Sequence, residues 1–144
     1  MDLEEVVKRY LVEIPEMYFE KEVKKPWGYE RHYNIPNEPR IKILSIEQGH
    51  RLSLQYHNEK DEAIGVRRGE LLLVIGSPSE TAYPNGNLKD LILRERQVFH
   101  VFPQTIHRYC SSNGRCELVE ASIGEDEDIT RLEDDYRRER TITP

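Results

Sequence analysis

The sequence predicts an all-β domain, a sandwich or barrel, on three observations. Residues 41–122 break into eight runs of four to seven residues rich in β-formers: 41–47, 52–56, 62–67, 70–75, 91–94, 98–102, 107–112 and 116–122. Turn-forming residues punctuate these runs, among them Gly69, Pro84-Asn85-Gly86 and Asn113-Gly114. The 144 residues, 37% of them hydrophobic, suffice for one domain with its own core and leave little room for a second.

Taken in order, residues 2–14 read as an N-terminal helix. Asp2 is a natural cap, Leu3, Val6, Val7, Tyr10, Leu11 and Ile14 form an apolar stripe, and Pro15 ends it. The expected organisation is a helical extension over 1–25, a β-barrel over 26–123 and an acidic tail over 124–144. Within the tail, Ile129, Leu132 and Tyr136 fall at helical spacing, which predicts a short helical tail docked by one face on the barrel. No Gly-rich phosphate loop or internal repeat is present.

The net charge of −6 is unevenly distributed. Residues 1–25 carry seven acids against five bases, residues 124–144 eight against four, and the middle is neutral. This balance argues against a nucleic acid or an anionic membrane surface as partner, while leaving a small anionic ligand in the neutral middle open. No apolar run reaches membrane-helix length and the acidic start is unlike a signal peptide, so a cytoplasmic location is expected. Cys110 and Cys116 lack the number and spacing of a disulfide framework or zinc knuckle and read as free thiols.

The chemistry concentrates around residues 51–62. In an extended strand Arg51, Ser53, Gln55 and His57 share one face and Leu52, Leu54 and Tyr56 the other. Alone, the polar set would be an ordinary wet face. Five residues later Glu62 shares a strand face with Ile64 and Val66, which buries a carboxylate, and a buried carboxylate needs a partner such as a metal ion. His107 opens a later strand. Gln55, His57, Glu62 and His107 together offer two imidazoles, a carboxylate and an amide oxygen, a ligand set for one divalent metal ion: zinc foremost, or manganese, iron, cobalt or nickel. Lys60 lies between two of these ligands and Arg51 shares their predicted face, which makes Lys60 a candidate to neutralise charge or move a proton and Arg51 a candidate phosphate contact. Arg67 and Arg108 alternate away from the ligands. His32, His50 and His100 read as structural or loop histidines, and Trp27, Tyr29 and Tyr33 as core or lid residues.

The spacing Gly49, five residues, Gln55-Tyr56-His57, four residues, Glu62, six residues, Gly69 resembles the first motif of the cupin superfamily, with Gln for its first His. Pro103 to His107 matches the second motif loosely. From about Pro26 to Arg138 the chain is similar to the C-terminal cupin domain of type II mannose-6-phosphate isomerases (phosphomannose isomerases), which share the Gln-x-His pair. The resemblance is carried by Lys25-Pro26-Trp27-Gly28-Tyr29-Glu30, by 49–57, by Thr105-Ile106-His107-Arg108, by Glu117-Leu118-Val119-Glu120 and by 128–136. The chain departs from the family at Asn58-Glu59-Lys60 and at Arg137, and it is expected to be a stand-alone copy of the domain without the nucleotidyltransferase half.

This resemblance implies a double-stranded β-helix, or jelly-roll barrel, and a metal-dependent isomerisation of mannose 6-phosphate to fructose 6-phosphate through an enediolate. Glu120, Lys42 and Arg131 match family positions. A non-catalytic sugar-binding cupin, an epimerase and a dioxygenase are the alternatives, and Gln55 disfavours the last. The apolar residues Leu52, Leu54 and Tyr56, with 71–75, predict a sheet face that a homodimer or the N-terminal helix would cover.

Overall fold

The structure, a computed structural model, describes residues 2–5, 19–33, 38–78 and 88–138. These form eleven strands: β1 (Phe19–Lys25), β2 (Gly28–Tyr33), β3 (Arg40–Ile46), β4 (Leu54–Tyr56), β5 (Asp61–Arg68), β6 (Leu71–Pro78), β7 (Lys89–Leu93), β8 (Val98–Val101), β9 (Thr105–Cys110), β10 (Cys116–Ile123) and β11 (Thr130–Glu133). They build two antiparallel sheets, one ordered β1-β2-β3-β10-β5-β8 and the other β11-β4-β9-β6-β7. The all-β expectation therefore holds, and each of the eight runs between 41 and 122 overlaps a strand, though the 52–56 run is regular only from Leu54.

Inward residues of both sheets meet in one core that includes Leu44, Ile64 and Leu118 from the first sheet and Leu71, Leu73 and Tyr109 from the second. Strand register divides this interior lengthwise. Leu118 lies opposite Leu44 on one side and Val66 on the other, whereas two residues further along Glu120 lies opposite Lys42 and Ile64, and Ser122 opposite Glu62. The same inward faces thus run from apolar at one end of the barrel to charged at the other, and side chains of period two carry that change across three neighbouring strands at once.

Several expectations are corrected at the chain ends. Residues 3–5 form one helical turn, with the Glu5 N–H donating to Asp2 Oδ1 at 2.8 Å as a cap; the rest of the predicted helix lies outside the described residues. Residues 19–25, assigned from sequence to the helical extension, are strand β1, hydrogen-bonded to β2. The tail is strand and turn instead of helix: the β4 edge supplies the backbone partners of β11, and Asp128 just before it accepts from the N–H groups of residues 58–60. Leu52 and Leu54, expected on a face needing a cover, are buried within the chain. The large apolar side chains left exposed instead include Leu91 and Ile92 on β7, Val98 on β8 and Phe102 just beyond it.

Gly28 opens β2 with φ of 152°, and a Cβ there would lie 1.9 Å from the Ser45 carbonyl oxygen of the adjoining strand. Only glycine lets β2 and β3 pair this closely. The variant Gly28→Ala is expected to lose about 2 kcal/mol or more of unfolding free energy, read from urea denaturation, because both the backbone angle and the interstrand spacing must shift.

Candidate metal centre

Three strands deliver the polar cluster. His57 follows β4, Glu62 lies inward on β5 and His107 inward on β9, all buried, and one ligand atom from each falls within 4.8 Å of the others. Both Nε2 atoms face the carboxylate: His107 Nε2 is 3.0 Å and His57 Nε2 3.4 Å from Glu62 Oε1. Gln55 is directly across the β4–β9 pairing from His107 and lines the adjoining cavity, its Oε1 accepting from Ser53 Oγ at 2.8 Å. The Tyr109 hydroxyl donates to Glu62 Oε1 at 2.9 Å.

The remaining ring nitrogens define the chemistry of this cluster. His57 Nδ1 is 2.6 Å from the Asp128 carbonyl oxygen and His107 Nδ1 is 2.9 Å from that of Thr105. A carbonyl only accepts, so each Nδ1 carries hydrogen, and in the neutral imidazole Nε2 presents a bare lone pair. Neither Nε2, nor Glu62 Oε2, has a hydrogen-bond partner among the described residues. Two lone pairs directed at a carboxylate in a water-excluded interior repel, and a divalent cation between them converts that repulsion into coordination. The donor set therefore fits a metal ion: His57, Glu62 and His107 can hold one.

Above the cluster opens a cavity of about 240 Å³. Lys60 is buried in its wall, with Nζ 3.5 Å from Glu62 Oε2, 3.5 Å from Asp126 Oδ1 and 3.9 Å from Glu120 Oε1. Burial works against the Lys60 charge, but the carboxylates of Glu120, Glu62 and Asp126 outweigh it and raise its pKa, so the ammonium stays protonated. Burial likewise raises the Glu120 pKa, reinforced by the negative charge of Glu62. Glu120 thus holds its proton more tightly than an ordinary carboxyl does. Asp126, hydrogen-bonded by Lys42 Nζ at 2.8 Å, is held at about 2 despite its partial burial.

Among the residues singled out from sequence, Gln55, His57, Glu62, His107 and Lys60 converge here, joined by Glu120, Lys42 and Arg131. Arg51 does not. It is 46% exposed, and its Nε and Nη2 donate to Asp135 at 2.7 and 2.9 Å outside this cavity. The reason is local: the regular strand begins only at Leu54, so the alternation that put Arg51 beside Gln55 fails before it reaches residue 51. His32, read as structural, lines the cavity, hydrogen-bonded to Glu30 at 2.8 Å. His50 bonds the Tyr136 hydroxyl and His100 bonds Asp61, both away from the cluster. Sequence reasoning missed Tyr109, Asp126, Asp128 and Arg138, together with Lys21 and Lys25 on β1. Lys25, Asp128 and Arg138 did carry a signal, since they lie in segments shared with the family; Tyr109, Asp126 and Lys21 carried none.

Metal loading is expected to show as one divalent ion per chain by elemental analysis and as a rise in thermal stability, about 2.7 kcal/mol at a free ion concentration of 100 Kd. His57→Ala and His107→Ala should remove both signals. A full complement of ion in either variant would put the binding site elsewhere.

No family model matches the chain. The alginate biosynthesis protein AlgA of Pseudomonas aeruginosa is 30% identical over 121 residues, which is 81% of this chain and 23% of AlgA, so the chain spans under a quarter of that relative's length. Among solved structures, the capsular polysaccharide assembling protein CapF of Staphylococcus aureus superposes with a TM-score of 0.65 at 11% identity, over 78% of this chain and 34% of CapF. The CENP-C cupin domain of Drosophila melanogaster gives 0.60 at 10% identity over 72% and 74% of the two chains. A dTDP sugar isomerase from Desulfovibrio desulfuricans gives 0.59 at 11% identity over 83% of each. At such identities the superpositions show the fold alone: the chain has a cupin-type fold, and it resembles the cupin domain of the phosphomannose isomerases.

Proposed function

We propose that the protein is a metal-dependent sugar-phosphate isomerase that interconverts mannose 6-phosphate and fructose 6-phosphate. The observation that carries this reading is the buried Lys60–Glu120 pair set beside a metal-ready His57/Glu62/His107 cluster in a cation-lined cavity. Gln55 would complete the ligand set. Zinc suits it, since isomerisation needs no redox change and the donors are nitrogen and oxygen. When bound, the ion polarises the oxygens on C1 and C2 of the open-chain sugar.

The protein's own groups supply the proton transfers. In the aldose-to-ketose direction Glu120, in its ionised form, takes the proton from C2, and the released electron pair forms the C1–C2 double bond while the carbonyl electrons move onto O1. The Lys60 ammonium is placed to balance this enediolate charge. Return of the proton from Glu120 to C1, with transfer of the O2 proton to O1, leaves the C2 carbonyl of the ketose. A carboxyl with a raised pKa is the stronger base for such a step. Arg131 and Arg138 from the tail and Lys21 and Lys25 from β1 line the cavity and suit a phosphate group, the role Arg51 cannot fill from its position.

The sugar setting of AlgA, named for alginate biosynthesis, supports the substrate class. A reducing, cytoplasmic compartment belongs to the same proposal, supported by two buried, unbridged thiols, Cys110 and Cys116. None of the described helices is long and apolar enough to cross a membrane. We also propose a symmetric dimer, supported by the exposed apolar residues Leu91 and Ile92 on β7 and Val98 on β8, the edge strands of the two sheets, and by Phe102 just beyond β8. Sedimentation should give a dimer that Val98→Asp dissociates; a monomeric parent protein would refute it.

A coupled assay of zinc-loaded protein should show fructose 6-phosphate formed from mannose 6-phosphate and abolished by EDTA. Glu120→Gln and Lys60→Ala are each expected to lower kcat by roughly 10²–10⁴ with metal retained, and Arg138→Ala to raise KM. Saturable sugar-phosphate binding without turnover in the loaded protein would instead mark a non-catalytic sugar-binding cupin.

A further inference from the structure

The turn between the metal-ready residues is held from outside the barrel. Residues 58–60 link His57 to the start of β5, and their three successive backbone N–H groups all donate to one carboxylate: Asn58 to Asp128 Oδ1 at 2.9 Å, Glu59 and Lys60 to Oδ2 at 2.8 and 2.9 Å. The same residue's carbonyl oxygen receives His57 Nδ1. Gln104 closes the opposite side, its N–H donating to the His57 carbonyl at 2.7 Å and its Nε2 to the Asn58 carbonyl at 3.2 Å. Gly124 lets the tail approach this closely, since a Cβ there would lie 2.8 Å from Lys60 Cα.

Asp128 thus acts on both ends of the turn. Its carboxylate sets the backbone from which Lys60 projects, and its carbonyl selects the His57 tautomer whose Nε2 lone pair faces Glu62. The three N–H groups form a small anion nest around the Asp128 carboxylate, in keeping with its lowered pKa, which these bonds produce against the opposing effect of burial.

We propose that Asp128 is a positioning residue for the metal centre, so that metal affinity depends on the docked tail and metal binding in turn tightens the docking of the tail. This reading rests on the metal centre described above and is independent of isomerase activity. Reciprocity is required thermodynamically: if docking favours the ion, the ion favours docking by the same factor.

Cobalt(II) is the probe, because calorimetry reports its affinity and its visible absorption reports ligand geometry. Asp128→Ala is expected to weaken cobalt binding roughly 10–100-fold and to alter the spectrum of the bound ion. Asp128→Asn, which keeps the shape and the backbone carbonyl but replaces one acceptor oxygen by NH₂, should give a smaller loss and decides the matter if the alanine variant does not fold. Tyr136→Phe, which releases the far end of the tail from His50, should leave affinity and spectrum unchanged. In the parent protein cobalt should slow trypsin cleavage after Arg131, and Asp128→Asn should diminish that protection. Parent protein that binds no cobalt overturns the metal centre itself. Parent-like affinity and spectrum in both Asp128 variants, or an equal loss in Tyr136→Phe, overturns the positioning role alone.

Discussion

The Lys60 ammonium is shared, at 3.5 to 3.9 Å, among the carboxylates of Glu62, Glu120 and Asp126, and the polar end of the barrel is arranged around that sharing. Each ion withdrawn from water carries an effective penalty of several kcal/mol, which a single partner at these distances would not offset. Three partial partners and a second cation at Lys42 spread the compensation across β3, β5, β10 and the tail. Burial, and after it the negative charge of Glu62, raises the pKa of Glu120. The site is consequently a property of the assembled sheets, and no fragment of the chain contains it.

How much of this was legible in the sequence depended on whether a residue belonged to a pattern. The strands from β3 to β10 alternate apolar and polar side chains or are continuously apolar, so their periodicity announces them. β1 reads Lys21-Glu22-Val23-Lys24-Lys25 at the edge of a sheet, where charge protects against unwanted pairing and erases the hydrophobic signal. Over β11 the apolar spacing of Ile129, Leu132 and Tyr136 suits a helix, and only the partner strand, invisible from local sequence, decides for β.

The metal-ready residues were legible for a different reason: a buried-face Glu and a Gln-x-His pair are chemically out of place in an ordinary sandwich, and that anomaly survives without knowledge of the fold. Arg51 shows the limit of the same reasoning. Parity counts faces only while the strand is regular, and in the irregular stretch at 52–53 both Leu52 and Ser53 reach the cavity. Tyr109 and Asp128 had no such anomaly to betray them. A tyrosine in an apolar strand and an aspartate in an acidic tail are each unremarkable until Glu62 and the 58–60 turn are brought against them.

The lengthwise division of the interior has an evolutionary consequence. Leu44, Val66 and Leu118 hold the sheets together at one end, while Lys42, Glu62 and Glu120, on the same strands two residues or more away, sit at the other. Folding and chemistry are therefore assigned to different layers of the same elements. Changes in the charged layer can alter which molecules the protein handles while the apolar layer keeps the sheets in register, which makes this barrel a scaffold on which new activities can arise by a few inward substitutions.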